Sequence, residues 1–376
     1  MRWPWSQKKD DSAVAEYVKQ RLVELIAELR GIDPSQAEVA YHLPLLQRII
    51  TLFLELGHVY EKNGQARDAA QVKAQAAKFM LVLPARQEIN HWAVAKDLLG
   101  QAIEALTEQD DPSLQLADAH IVRAEYLTRE AAQTAGAPDR GARRDEAKKH
   151  LLSALEMLGV LAPDAPNKAA EHLSIQTADL YNKLGNLEKA RALDAPPDAD
   201  RHLRAALEYF TAALPHCAAG KSDDLLALTE NNLGSVRVML VGDRADETAL
   251  REAGEHFQAA LRVLDRARQP HLYSMIHSNL GELALALHES AGRRKFELLQ
   301  SALSHFGEAM PGFPSEQFPQ QYAKILYGQG RALAAMGQKD EARRSFEEAL
   351  EFRDHLPDAG RQIKERLQRL SSREPG

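Results

Sequence analysis

The sequence predicts an all-α protein made of antiparallel helical hairpins in series, and three observations support this fold class. Residues that favour helices (Ala, Leu, Glu, Arg and Gln) dominate nearly every stretch of the 376 residues. The period-two alternation that is typical of β-strands is absent. Breakers that contain Pro or Gly, for example at 63–64, 110–112 and 195–197, divide the chain into segments of about 12–20 residues, the length of an ordinary globular helix.

The first helix is expected near Asp11 to Arg30, after a predicted tail of residues 1–11. Its apolar residues have helical spacing and can cover the open end of a row of hairpins; they are Ala15, Val18, Leu22, Leu25, Ile26 and Leu29. In the tail, Pro4 prevents Trp3 and Trp5 from joining a regular helix. The tail either lacks regular structure or folds back on the first hairpin, or it offers Trp3 and Trp5 as an aromatic anchor for a partner or a membrane interface.

Residues 12–163 are predicted to form this capping helix and divergent hairpins behind it. One hairpin has Gly57 in its first helix, but Lys73 stands where the later hairpins carry an aromatic residue. Another hairpin has Ala124 in its first helix and a long insert before its second. The apolar residues assigned to the two hairpins are Phe53, Leu56, Tyr60, Ala69, Ala76, Leu127, Ala147, Leu151 and Ala154.

Residues 164–357 repeat one pattern four times: Ala, then Phe four residues later, then Ala three residues after that. The copies are Ala206-Phe210-Ala213, Ala253-Phe257-Ala260, Ala302-Phe306-Ala309 and Ala342-Phe346-Ala349. Glycines at 234, 281 and 330 precede three copies, whereas Ala178 and Tyr181 precede the first. Small residues let antiparallel helices approach closely and leave a notch that a phenyl ring fills. Six hairpins are therefore predicted, followed by a closing helix and tail over 358–376.

These residues resemble the tetratricopeptide repeat (TPR), whose unit of about 34 residues carries this small and aromatic signature. The copy from Gly330 to Pro357 is the closest match. Inserts lengthen the others, because 19 residues separate Gly234 from Ala253, against 12 between Gly330 and Ala342. The paired asparagines before Leu-Gly are similar to those of longer-hairpin subfamilies that include kinesin light chain. The resemblance implies an α-solenoid, a right-handed superhelix of hairpins.

The resemblance also implies a concave groove lined by the first helix of each hairpin. Residues at matching offsets from the notch glycines are the candidate partner-binding residues: Asn231, Asn232, Ser235, Asn279, Glu282, Lys324, Tyr327 and Arg331. An asparagine amide both donates and accepts, so it can hold an extended backbone; alternatively, Asn232 and Asn279 cap or cross-link adjacent helices. In the family, such an Asn with Lys and Arg in the next repeat clamps a C-terminal carboxylate. Here Lys324 is present, but Gly328 stands where a second basic residue would be.

Motifs that would indicate catalysis or a cofactor are incomplete. The segment 219–222 ends like a phosphate-binding loop, but Pro215 replaces the earlier glycine and a helix is predicted before it, so a solvated turn is expected. His271 and His277 come nearest to a metal-ligand spacing without matching one. Cys217 and its neighbour His216 lack an orienting acid, so a lone structural thiol is expected. We predict no catalytic residue, no metal and no cofactor.

The composition restricts the partners. Lys and Arg number 47 against 54 Asp and Glu, so the net charge of −7 gives no general attraction to nucleic acid. One cysteine suits a reducing compartment, and neither a secretory leader nor an integral membrane segment is evident. We expect a soluble cytoplasmic, non-enzymatic adaptor that holds a peptide or protein in the groove. The alternative is a regulatory sensor whose solenoid changes shape on binding a peptide or small effector. Self-association through the end repeats stays open.

Overall fold

The protein is described by a computed structural model that covers residues 11–30, 43–83, 91–108, 113–133, 139–162, 165–242, 246–290, 295–352 and 359–371. These ranges contain 15 α-helices, two short 3-10 helices and no β-strand. The all-α prediction is therefore confirmed. No described helix is both long and apolar enough to cross a membrane. The chain divides into two compact units, Met1–Leu173 and Ser174–Gly376.

The described part of the first unit contains six helices and the beginning of a seventh. They are α1 (Asp11–Arg30), α2 (Leu43–Lys62), α3 (Ala66–Val82), α4 (His91–Thr107), α5 (Leu114–Gln133), α6 (Arg140–Leu161) and the start of α7 (Asn167–Asp194). Helices α2 and α3 form one hairpin and α5 and α6 another, while α4 packs between α3 and α5 as a single helix. Helix α1 covers the first hairpin, because Val18 and Leu22 pack against Ile49 and Phe53 of α2. Helix α1 thus lies against the first hairpin, at the place where the sequence analysis expects a capping helix.

The two hairpins of the first unit replace the phenyl ring with other side chains. The aliphatic stem of Lys73 lies beside Gly57, where an added Cβ would be 3.8 Å from Lys73 Cγ. The ammonium group of Lys73 reaches outward to Glu61, at 2.5 Å, and to Gln101 of α4, at 2.9 Å. In the second hairpin, Leu151 is buried in the corresponding position. Aliphatic atoms therefore fill these notches instead of aromatic ones.

Where it is described, the second unit contains four hairpins and a last helix. Its helices are the rest of α7, α8 (Ala199–Ala219), α9 (Asp223–Val241), α10 (Glu247–Val263), α11 (Pro270–Ser290), α12 (Phe296–Ala309), α13 (Pro319–Met336), α14 (Lys339–Glu351) and α15 (Ala359–Ser371). Consecutive helices pair as α7 with α8, α9 with α10, α11 with α12, and α13 with α14. Ile363 of α15 is fully buried against Phe346 and Ala349 of the last hairpin. Helix α15 therefore packs against the last hairpin.

A fully buried phenyl ring closes each of these four hairpins. The pairs of glycine and ring are Gly185 with Phe210, Gly234 with Phe257, Gly281 with Phe306, and Gly330 with Phe346. A Cβ placed on any of the four glycines would lie 2.5–2.7 Å from a ring carbon, so a larger residue at these positions requires the ring to move. The predicted TPR-like packing is confirmed, and Gly185 adds to the first copy the glycine that the sequence pattern had left unassigned.

The ring of Phe306 also contacts the following hairpin. A Cβ placed on Gly328 of α13 would overlap Phe306 Cζ, just as one on Gly281 of α11 would lie 2.6 Å from Cε1. The ring is thus held between α11 and α13. Position 328 has no room for a basic side chain, which is the physical reason for its departure from the carboxylate-clamp pattern.

Candidate functional site

The four notch glycines place the first helices of the second unit in a common register. We number positions on α7, α9, α11 and α13 relative to Gly185, Gly234, Gly281 and Gly330. Positions −6, −3, +1 and +4 are spaced by three or four residues and therefore form one stripe along each helix. We call these four stripes the first-helix face. Six of the eight sequence candidates other than the tail tryptophans lie on it, and the remaining two, Asn232 and Asn279, lie one position beside it.

An apolar cavity of about 430 Å³ opens on the first-helix face. Position −6 of α9 and α11 contributes Leu228 and Met275, and position −6 of α7 contributes Asp179. The other lining residues are Ile175, Ser222, Asp224, Leu225, Gln269, His271, Leu272 and Phe313. Met275 is 37% exposed, which is high for a methionine in a row of packed helices. Sequence reasoning missed this cavity, although Leu228 and Met275 occupy the position equivalent to Lys324.

A buried chain of polar side chains connects α7 to α9. Asn182 Nδ2 donates to Thr229 Oγ1 at 2.7 Å and to the Ala178 carbonyl at 3.0 Å. Asn232 Nδ2 donates to Asn182 Oδ1 at 3.2 Å, and Thr229 Oγ1 donates to the Leu225 carbonyl at 2.7 Å. Buried amides require such partners, so the chain fixes how these two helices sit against each other.

A second hydrogen bond between asparagine side chains connects α9 to α11. Asn279 Nδ2 donates to Asn231 Oδ1 at 2.8 Å, and Asn231 is buried. The side chains of Asn231, Asn232 and Asn279 are thus engaged between helices, as the cross-linking alternative describes. Asn182 was missed by the sequence reasoning, but it stands at −3 from Gly185 just as Asn231 stands at −3 from Gly234.

Charged residues of α11 and α13 form a cluster further along the first-helix face. Arg331 donates to Glu282 at 2.7 Å and to Glu289 at 2.9 Å. The pKa of Arg331 is raised: burial lowers it, but Glu282, Glu289 and Tyr327 outweigh that effect. The guanidinium also lies 5.8 Å from the centre of the Tyr327 ring, and its buried Nε atom has no hydrogen-bond partner. The structure therefore brings together three of the predicted candidates.

Tyr327 links this cluster to the closing helix. Its hydroxyl donates to Gln362 Oε1 at 3.0 Å and accepts from Arg366 Nε at 3.1 Å. Ser235 and Lys324 complete the predicted set. Ser235, at +1 of α9, is partly buried, and Lys324, at −6 of α13, is exposed. Trp3 and Trp5 lie outside the described residues.

The incomplete chemical motifs are structural where the chain is described. Gly220 and Lys221 form the turn between α8 and α9, and Ser222 caps α9 by accepting from the Leu225 amide. Cys217 is buried beside Thr229, and burial raises the pKa of its thiol. Within the described ranges, no group of three or more His, Cys, Asp or Glu side chains is placed to hold a metal ion.

No family model and no curated protein matches this chain. Among solved structures, the chain is similar to BtubC (BKLC) from P. vanneervenii, with 17% identity and a TM-score of 0.36 over 64% of this chain and 92% of that one. It is similar to the apo form of RapI, with 15% identity and a TM-score of 0.37 over 86% and 87%. It is also similar to yeast Tom70, with 11% identity and a TM-score of 0.31 over 96% of both chains. The fold assignment rests on the hairpin order and notch contacts of this chain itself.

Proposed function

We propose that this protein is an interaction scaffold that binds a segment of another protein on the first-helix face of its second unit. The observation that carries the proposal is the apolar cavity around Leu228 and Met275. An open apolar cavity with a few polar groups at its rim is the usual form of a binding site, because a bound ligand removes the apolar lining from water and this burial contributes favourable free energy. The bound segment places an apolar side chain in the cavity.

The neighbouring polar contacts support this proposal because they hold the helices that form the surface in fixed positions before a ligand binds. Asn182 and Asn232 fix α7 against α9, and Asn231 and Asn279 fix α9 against α11. A preorganised surface loses little conformational freedom when a ligand binds. We therefore assign the asparagines a positioning role behind the surface, and we assign contact with the partner to Met275 and to the exposed candidates.

The test introduces a charge into the cavity. Partners are recovered from the source organism, and the affinity of the recovered segment is measured by calorimetry for wild type, Met275→Glu and Leu228→Glu. Burial of an unpaired carboxylate in the complex costs several kcal/mol, so affinity should fall at least tenfold. The matched control is Leu193→Glu, since Leu193 is 70% exposed in the same unit and lies outside the cavity.

Circular dichroism checks that each variant remains folded. Unchanged affinity in folded Met275→Glu and Leu228→Glu would refute the cavity as the binding site. An equal loss in Leu193→Glu would show a general charge effect and would refute it as well.

A further inference from the structure

In the described part of the chain, two pairs of histidines face each other, each pair within a single hairpin. His120 Nδ1 of α5 lies 2.7 Å from His150 Nδ1 of α6, and the ring centres are 4.9 Å apart. His277 Nδ1 of α11 lies 3.1 Å from His305 Nδ1 of α12, and the ring centres are 5.2 Å apart. Each pair therefore brings one ring nitrogen from each of two helices to a common point.

The register of the hairpins produces both pairs. His277 stands four residues before the notch glycine of α11, and His305 directly precedes the notch phenylalanine of α12. The histidines of the other pair likewise stand four residues before Ala124 and directly before Leu151. Because the packing of each hairpin fixes these positions, the two nitrogens are held in place before a ligand binds.

The equivalent positions of α9 and α10 hold a different pair. Glu230 Oε2 lies 2.6 Å from His256 Nδ1, and His256 Nε2 accepts from Arg237 Nε at 3.0 Å. A carboxylate and a guanidinium thus engage both nitrogens of this imidazole. In a histidine pair, by contrast, two Nδ1 atoms share one proton, and a cation that both lone pairs reach can replace it.

The distances within the pairs fit two neighbouring ligands of one metal ion. An ion about 2.0–2.1 Å from both nitrogens would make an angle of about 100° with His277 and His305 and of about 80° with His120 and His150. These angles lie on either side of the right angle between neighbouring ligands in a tetragonal complex, which Cu(II) and Ni(II) prefer. Both angles are smaller than the tetrahedral angle of about 109° that Zn(II) prefers.

The environment keeps these imidazoles neutral, which is the form that binds a metal. Burial, together with the charge of His150, lowers the pKa of His120 to about 4. Burial also lowers the pKa of His150, and Arg123 lowers it further. Burial is likewise the largest cause of the lowered pKa of His277 and of His305. Protons therefore compete little with a metal ion at neutral pH.

A glutamate paired with an arginine lies beside each histidine pair. Glu146 Oε1 is 3.9 Å from His150 Nε2 and 3.2 Å from Arg123 Nη2. Glu308, whose charge acts on the other pair, is 3.9 Å from Arg266 Nη1. Both glutamate side chains are 47% exposed, and exposed ion pairs are weak, so each carboxylate can turn towards a bound cation. A carboxylate near the far nitrogen of a ligating histidine commonly orients the ring.

We propose that each histidine pair binds one divalent transition-metal ion, Cu(II) in preference to Ni(II) and Zn(II), with the two Nδ1 atoms as neighbouring ligands. The ion replaces the proton that the two nitrogens share, and this proton moves to Nε2 of its own ring. Water fills the remaining coordination positions. The ion clips α5 to α6 in one hairpin and α11 to α12 in the other. The proposal does not rest on the proposed function, because the cavity around Met275 contains none of these histidines.

The test titrates the full chain with copper sulfate in a non-coordinating buffer and follows binding by calorimetry. Glycine is added as a weak competing ligand, so that single exposed histidines do not retain copper. We expect His120→Gln and His277→Gln each to weaken the binding of one copper equivalent at least tenfold. His58→Gln is the matched control and should leave binding within a factor of two. His58 has Glu61 at 4.0 Å but, among the described residues, faces no second histidine.

Two further measurements make the test specific. Electron paramagnetic resonance of wild type should show hyperfine coupling from two imidazole nitrogens per copper, and each variant should lose this signal at one site. Zinc should bind at least tenfold more weakly than copper. Circular dichroism checks the fold, and His150→Gln and His305→Gln should repeat each loss from the other helix.

Three results would overturn the proposal. Wild type without tight copper binding would show that each pair is a hydrogen bond only. The same loss in His58→Gln as in the pair variants would assign the copper to exposed histidines. Copper binding that survives in both folded variants of a pair would place the ion elsewhere. None of these results bears on the cavity, which the Met275→Glu and Leu228→Glu affinities test separately.

Discussion

The most direct test of the fold is the replacement of one notch glycine by alanine. In Gly281→Ala the new Cβ would lie 2.6 Å from Phe306 Cε1 and 2.8 Å from both Cδ1 and Cζ. The ring cannot retreat, because Gly328 of the next hairpin touches its other side. Overpacking by a methyl group costs about 1–3 kcal/mol. Alanine regains about 1 kcal/mol of helix propensity over glycine. With the ring blocked on both sides, we expect a net loss of about 2 kcal/mol.

The same substitution elsewhere in this hairpin should have the opposite sign. Gly307 follows Phe306 on α12, and a Cβ placed there would have no atom within 4 Å. Gly307→Ala should therefore stabilise the protein by about 0.5–1 kcal/mol, since only the backbone entropy of the unfolded chain changes. The pair of variants differs in the space around the new methyl group and in little else.

The assay is urea denaturation followed by circular dichroism, extended to the double variant Gly281→Ala with Phe306→Leu. Leucine is shorter than the ring and makes room for the new methyl group, so the double variant should be at least 1 kcal/mol more stable than the sum of the two single effects. Additive effects, or a stabilising effect of Gly281→Ala, would show that the ring does not fill the notch and would refute the packing argument.

Two further predictions concern buried polar groups. Asn182→Ala leaves Asn232 without its acceptor and should cost about 1–3 kcal/mol in urea denaturation, whereas Ser235→Ala on the same face should cost less than about 0.5 kcal/mol; equal effects would contradict the network. His120 Nδ1 lies 2.7 Å from His150 Nδ1, and burial, with the charge of His150, lowers the pKa of His120 to about 4. Because the unfolded chain binds this proton at a higher pH, stability should fall by about 2 kcal/mol between pH 7 and pH 5, and an NMR titration midpoint of His120 near its usual value would contradict this.

Much of the fold could be predicted from the sequence because the residues that form each notch lie within one hairpin. A glycine, an alanine and a phenylalanine at fixed positions identify a hairpin wherever they recur, and the fully buried rings confirm this for Phe257, Phe306 and Phe346. Gly185 escaped notice although Leu184 and Gly185 repeat the Leu-Gly pair. The loops between the two helices differ in length, so the distance from glycine to ring is not constant and a search at fixed spacing fails.

The contacts of the candidate site could not be predicted from the sequence because they join residues of different hairpins. The sequence placed Glu282 and Arg331 at the same offset, but nothing in the offset shows that one pairs with the other. The absence of a basic side chain at Gly328 looked like a missing ligand, whereas the structure shows a steric requirement of Phe306.

The difference between the packed notch positions and the surface positions has a consequence for the ligand. The notch positions must stay small, whereas position −6 varies freely, with Met275 on α11 and Lys324 on α13. Packed helices have axes about 8–10 Å apart. An extended segment advances about 3.3 Å per residue. Two apolar side chains of a bound segment, one at Leu228 on α9 and one at Met275 on α11, should therefore be about three residues apart. Peptides with two Leu residues three apart should bind more tightly than those with two adjacent Leu residues, and equal affinities in an anisotropy titration would contradict the arrangement.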